Sequence, residues 1–110
     1  MTTTTDRTVT LQARAAAALV AILAKPGLPE ANWHLHREDL GAVLDGQLRE
    51  SPAGDARAAV DTYAVALGLT PQKDEPMGHG PGGFTHVSAR GEFMGATVEI
   101  WCAADKGGRR

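Results

Sequence analysis

The sequence contains a single cysteine, Cys102, and this shortage excludes two classes of small protein. One thiol forms no internal disulfide, and it provides too few ligands for a zinc knuckle. Such cysteine usage is typical of a reducing compartment. We therefore expect a cytoplasmic protein in which Cys102 is a small buried hydrophobe.

Long apolar runs are also missing. The longest, residues 15–24, has ten residues, whereas a helix needs about 20 to cross a bilayer. As the core of a signal peptide it has the wrong surroundings, because Asp6 precedes it and Lys25-Pro26 follows where small residues are required. We expect no association with a membrane.

Charge of one sign is not in excess. Lys and Arg number 11 against 13 Asp and Glu, so the formal net charge is -2. No basic stripe is present, and binding along a phosphate backbone requires one. Nucleic acid is therefore a poor candidate partner.

Large apolar side chains are few as well. The apolar fraction is 43%, but 19 of these residues are Ala, and aromatic residues make up only 5%. A chain of this length fits one domain, so we expect a thin core within a single domain over residues 8–104. The Thr-rich residues 1–7 and the Gly/Arg-rich residues 105–110 are expected to be flexible tails.

Two segments have the apolar periodicity of helices. The first runs from about Thr8 to the break at Pro26-Gly27, with an inward stripe of Leu11, Ala15, Ala18, Leu19, Ile22 and Leu23. The second begins with Ser51 as N-cap and Pro52 at the first helical position. It ends at Gly68, which suits a left-handed C-terminal residue, and its inward stripe is Ala56, Val60, Tyr63 and Leu67.

Alternating patterns predict two β-hairpins. Residues 33–36 and 43–48 form the first, and residues 84–90 and 93–102 flank Gly91-Glu92, which suits a two-residue type II′ turn. This register places Ala89 opposite Met94 and collects the apolar residues on one face. Between the second helix and the second hairpin, residues 70–83 are rich in Pro and Gly and predict a long surface loop.

The two halves of the chain resemble each other. Residues 13–16 recur as 56–59, Gly27-Leu28 recurs as Gly68-Leu69, and residues 40–45 match residues 94–99. A doubled helix–strand–strand unit predicts an α+β fold in two layers. We expect a tandem αββ repeat that forms a four-stranded antiparallel sheet, with both helices on one face and the other face open.

This unit order, together with the ending Val-Ser-Ala-Arg-Gly-Glu-Phe-Met-Gly-Ala-Thr-Val-Glu-Ile-Trp, resembles small uncharacterised αββαββ proteins of high-GC actinobacteria and of their plasmids and phages. The resemblance is concentrated in residues 84–102 and implies no particular activity. The order also resembles the LAGLIDADG homing endonuclease fold. However, Ala24-Lys25 and Leu67-Gly68 stand where that family carries acidic metal ligands, which argues against a nuclease.

Three histidines are the main candidates for metal chemistry. His34 and His36 are two residues apart on a strand and so share a face, and the repeat assigns His86 to the same face. Neutral imidazoles bind zinc or nickel, so a metal-binding protein or a metal-dependent enzyme is the alternative to a binding module. Strand alternation explains these histidines without a metal, and we expect neither a cofactor nor an enzyme.

The candidate partner-binding surface is the open face of the second hairpin, where the predicted register collects Phe84, His86, Arg90, Phe93, Glu99 and Trp101. Aromatic residues and Arg are enriched at protein interfaces. The sequence therefore predicts a protein-interaction or self-associating module, with a protein partner or a homodimer. Two other readings stay open: residues 70–83 fold over the aromatic residues, or the aromatic residues stack single-stranded bases.

Overall fold

The computed structural model describes residues 4–38, 41–78 and 83–105. Within them the chain forms two helices, α1 (Thr4–Leu23) and α2 (Ala53–Leu67), and six strands. The strands are β1 (Ala31–Glu38), β2 (Gly41–Pro52), β3 (Thr70–Pro71), β4 (Glu75–Met77), β5 (Phe84–Phe93) and β6 (Ala96–Asp105). Of the two expected tails, residues 1–3 and 106–110 lie outside the described residues.

Helix α1 packs on the sheet through small side chains. Ala15, Ala18 and Ile22 are buried at helical spacing, whereas Leu23 is 65% exposed, so its expected inward position is wrong. The helix begins at Thr4 instead of about Thr8. It ends at Leu23, before Pro26 removes a backbone donor and Gly27 adopts a φ of 81°.

The predicted inward stripe of α2 is confirmed, because the helix buries Ala56, Val60, Tyr63 and Leu67. Gly68 ends the helix in the left-handed region with a φ of 72°, as predicted, and the Leu69 amide donates to the Ala64 carbonyl at 2.9 Å. The N-cap prediction is wrong, because Pro52 occupies that position.

The turn of the second hairpin is at Met94-Gly95 and not at Gly91-Glu92. Both turn residues have positive φ, 54° and 78°, as a two-residue type I′ turn requires. Ala89 consequently pairs with Ile100 instead of Met94. Gly91 stays within β5, where a side chain would meet the Leu69 backbone at 3.3 Å.

The predicted fold is wrong in the number, order and direction of its strands. The structure is α+β, but the sheet has six strands in the order β1-β2-β6-β5-β3, with β4 also pairing with β5. Strands β2 and β6 are parallel, so the sheet is mixed and not a four-stranded antiparallel one. These two strands bury the most apolar side chains and occupy the centre, beneath both helices, while the polar β1 lies at the edge.

The expected tandem repeat is also absent from the described residues. Strand β5 runs parallel to β1, yet β2 and β6 lie on opposite sides of their hairpin partners when the sheet is viewed from the helices. The two hairpins therefore have opposite hands relative to the helices, and no rotation superposes one unit on the other. The similarity of residues 40–45 and 94–99 has another origin, since Leu44 pairs with Val98 and Asp45 with Glu99 in the parallel ladder.

The core lies between the helices and one face of the sheet. Gly46 makes room within it, because a Cβ atom there would lie 2.8 Å from both Ile100 Cδ1 and the Trp33 ring. Trp33 packs against this core in an edge-on contact with Tyr63 at 6.1 Å between ring centroids. Of the described helices, neither is long and apolar enough to span a membrane.

Residues 70–83 do not form the expected loop throughout. Strands β3 and β4 pair with β5 along one edge of the sheet, with Pro71 opposite Ala89 and Pro76 opposite Thr85. The Gln72 amide donates to the Ser88 carbonyl at 2.9 Å, and Arg57 of α2 forms an ion pair with Asp74. Residues 79–82 lie outside the described part of the chain.

Candidate functional site

The face of the sheet that is turned away from both helices carries the candidate site, and we call it the open face. Alternation along paired strands places one set of side chains there. This set comprises Asn32, His34, His36, Val43, Asp45, Gln47, Thr70, Glu75, Met77, Phe84, His86, Ser88, Arg90, Glu92, Thr97, Glu99, Trp101 and Ala103. Neither described helix packs on this face.

A chain of contacts crosses four strands of the open face. Asp45 lies at its centre, where Oδ1 accepts a hydrogen bond from Trp101 Nε1 at 2.9 Å. The other carboxylate oxygen, Oδ2, lies 3.6 Å from His36 Nε2. The Trp101 indole also stacks on the His86 ring of the neighbouring strand β5, with 5.0 Å between ring centroids and 27° between ring planes. The indole is therefore held both at its polar atom and on its π-face.

A charged pair lies beside this chain. Arg90 Nη1 lies 3.2 Å from Glu99 Oε1 across the β5–β6 ladder, where the two residues are direct partners. Both side chains are partly exposed, so water screens the attraction and the pair contributes little to stability. Its main effect is to orient the two charged groups next to Trp101.

Aromatic and apolar side chains lie together near the β4 end of the open face, next to Glu75. Met77 pairs with Phe84, and His86 pairs with Ala103 on the other side of β5. Met77 is 43% exposed, and Phe84 and Trp101 are half-buried. We call Met77, Phe84, His86 and Trp101 the aromatic patch.

The expected position of Phe93 on the open face is wrong. With the turn at Met94-Gly95, Phe93 is the last residue of β5 and not the first of the next strand. Odd-numbered residues of β5 face the helices, so Phe93 packs against the core. The Lys25 ammonium lies 5.7 Å from the centre of its ring. The other five candidates, Phe84, His86, Arg90, Glu99 and Trp101, all lie on the open face.

The three candidate metal ligands share the open face but do not converge. His34 and His36 are on β1 and His86 is on β5, with β2 and β6 between them. Three strand spacings amount to about 14 Å, which is too far for ligands of one ion. Among the described residues, no group of three His, Cys, Asp or Glu side chains could hold a metal ion.

Cys102 is buried on the helix-covered face, as predicted. Burial raises the pKa of its thiol, although a hydrogen bond involving Ser51 acts in the opposite direction. A thiol with a raised pKa is a weak nucleophile at neutral pH. Its position gives it a packing role.

Two residues of the site were missed in the sequence. The sequence does not predict the role of Asp45, because its bond to Trp101 joins residues 56 positions apart. Met77 lay in the segment predicted as a loop. Met77 stands between Pro76 and Gly78, so the residues around it show no alternation that predicts a strand. Its pairing with β5 is set by tertiary packing.

Comparisons with protein-family models, with curated proteins and with solved structures find no match for this chain.

Proposed function

We propose that this chain is a protein-binding module of the cytoplasm, and that its working surface is the aromatic patch on the open face. The observation that carries the proposal is Trp101. Its ring is half-buried on a face that the described helices leave uncovered, and Asp45 and His86 hold it in one orientation.

Such an indole is suited to binding. Side chains that are fixed before binding lose little rotamer entropy when a partner covers them. The Trp101 N–H group is already satisfied by Asp45, so a partner can bury the ring without leaving an unpaired donor. Large aromatic anchors of this kind supply much of the energy of protein interfaces.

The charges around the patch indicate the chemistry of the partner. Among the described open-face side chains that have a partner in a strand ladder, one is a guanidinium, that of Arg90. Four are carboxylates: Asp45, Glu75, Glu92 and Glu99. A partner that is apolar at its centre and carries Lys or Arg beside the apolar residues complements this surface. Phosphate-rich ligands do not.

A selection experiment tests the proposal. A library of random linear peptides is selected on the immobilised protein and sequenced, and the binding sites of enriched peptides are mapped by amide chemical shifts. We expect apolar or aromatic residues next to Lys or Arg, with the largest shifts at Phe84, His86 and Trp101. Trp101→Ala should weaken binding by about 30-fold, equivalent to ~2 kcal/mol.

Val65→Ala is the matched control. Val65 is 87% exposed on α2, so this variant removes an exposed apolar side chain away from the open face and should bind as the wild type does. Peptides that bind Trp101→Ala with undiminished affinity would contradict the proposal. So would shifts that map to the helices.

A further inference from the structure

The two edges of the sheet are protected very differently. Strands β3 and β4 form one edge and have only two and three residues. Each contains a proline, Pro71 or Pro76, which offers no N–H group to an added strand. The Arg57–Asp74 ion pair also ties the connection between them to α2. This edge is closed to further pairing.

The opposite edge has none of these features. Strand β1 spans eight residues, Ala31–Glu38, without Pro, Gly or Lys, and its register with β2 has no bulge. Of the described side chains on β1, four are exposed: Asn32, His34, Leu35 and His36. No strand among the described residues pairs with its outer side. Long regular edges of this kind are templates for strand addition.

We propose that a second copy of this chain occupies this edge, through antiparallel pairing of β1 with β1 of the partner. The proposal goes beyond the binding function of the open face, because it uses the edge of the sheet and not its surface. Helix α1 packs over β2 and β6, and α2 packs over β2, β5 and β6, so the helices leave the β1 edge accessible. The product is a continuous sheet with the helices of both copies on one side.

The side chains favour one register. A twofold axis at His34 keeps corresponding faces on the same side, because it pairs residues of equal parity. It places Trp33 of each copy opposite Leu35 of the other on the helix-covered face. Leu35 is 43% exposed in the single chain, and in the dimer the Trp33 ring of the other copy would cover it. Aromatic–aliphatic cross-strand pairs of this type stabilise sheets.

Sedimentation of the full chain from about 1 µM to about 1 mM, the range in which small interfaces associate, tests the proposal. We expect the wild type to approach twice the 11.5 kDa chain mass. Leu35→Lys should raise the dissociation constant at least about tenfold, since an edge lysine must be desolvated on pairing. Met77→Lys is the matched control, because Met77 is also 43% exposed but lies on the opposite edge strand.

Cysteine crosslinking tests the register independently of the charge variants. In the proposed dimer the two His34 Cα atoms lie about 4.5–5.5 Å apart, within the range for a disulfide, whereas the two Asn32 Cα atoms are about 14 Å apart. His34→Cys should therefore form a disulfide-linked dimer on mild oxidation much faster than Asn32→Cys. Wild-type Cys102 is buried and provides the background rate.

Three results would overturn the proposal: a wild type that is monomeric at every concentration, equal crosslinking of the two cysteine variants, or a dimer that survives Leu35→Lys. A dimer lost with Met77→Lys and retained with Leu35→Lys would place self-association on the open face instead. Because peptide binding to the aromatic patch is measured separately, failure of either proposal leaves the other intact.

Discussion

The two tryptophans, on opposite faces of one sheet, show how the environment assigns different roles to the same side chain. Trp33 lies over Gly46 on the helix-covered face and contacts Tyr63 and the apolar core. Trp101 lies on the open face, where its partners are the Asp45 carboxylate and the His86 ring. Both rings are half-buried, but the first packs between sheet and helix, whereas the second is held by polar groups on the face that the described helices leave uncovered. Stability should therefore depend on Trp33 and binding on Trp101.

Truncating each tryptophan is the most direct test of this difference. We expect Trp33→Ala to lower the free energy of unfolding by about 3 kcal/mol, because it opens a cavity against the core. Trp101→Ala should cost about 1.5 kcal/mol, since it removes a hydrogen bond and a stacking contact on the face that the described helices leave uncovered. Urea denaturation followed by far-UV circular dichroism measures both. Equal losses would mean that the open face is ordinary core.

Adding a methyl group at Gly46 tests how tightly Trp33 packs against the sheet. Gly46→Ala should lower the free energy of unfolding by about 2 kcal/mol, because the added Cβ overlaps Ile100 and the Trp33 ring at 2.8 Å. The same change at Gly54 is the control. Nothing lies within 4 Å of a Cβ there, and Ala favours the helix over Gly, so Gly54→Ala should be neutral or stabilising. A fully stable Gly46→Ala protein would show that Trp33 can move without cost.

The smallest expected effect concerns the anchor of Trp101. Asp45→Ala should lower the free energy of unfolding by about 1 kcal/mol, since the indole N–H loses its acceptor. Asp45→Asn keeps an oxygen acceptor at the same place and should lose less. The indole proton resonance of Trp101 provides a direct readout, and we expect it to shift in Asp45→Ala. An unchanged resonance would contradict the hydrogen bond.

Local patterns in the sequence were sufficient to locate the two helices, although not their first residues, and to assign most side chains to a face. The stripe of α2 and the left-handed Gly68 follow from side-chain periodicity and from backbone sterics, which act within a few residues. The predicted hairpin register was wrong, since Ala89 pairs with Ile100, six residues further along the chain than the predicted partner Met94. Because six is even, almost every side chain kept its face. Phe93 alone among the six candidates changed sides, because the true turn moved it into the preceding strand.

The order and direction of the strands could not be obtained in this way. The similarity of residues 40–45 and 94–99 was detectable, but a tandem repeat and a pair of parallel neighbours produce the same pattern of apolar and polar positions. The structure decides between them by placing Leu44 beside Val98 and Asp45 beside Glu99. His34 and His36 were predicted on the same face as His86, and they are, yet the sheet order separates them by two strands.

The amino-acid sequence by itself determined the two helices, the alternation of the main strands and the residue types available to each face. These properties depend on interactions between residues close together in the chain, which propensity and periodicity describe. Tertiary structure alone decided that β2 and β6 run parallel, that β1 is left as an edge, and that Asp45 meets Trp101. These outcomes depend on how both helices share one thin, alanine-rich core, where the most apolar strands take the centre of the sheet and the polar strand takes its edge.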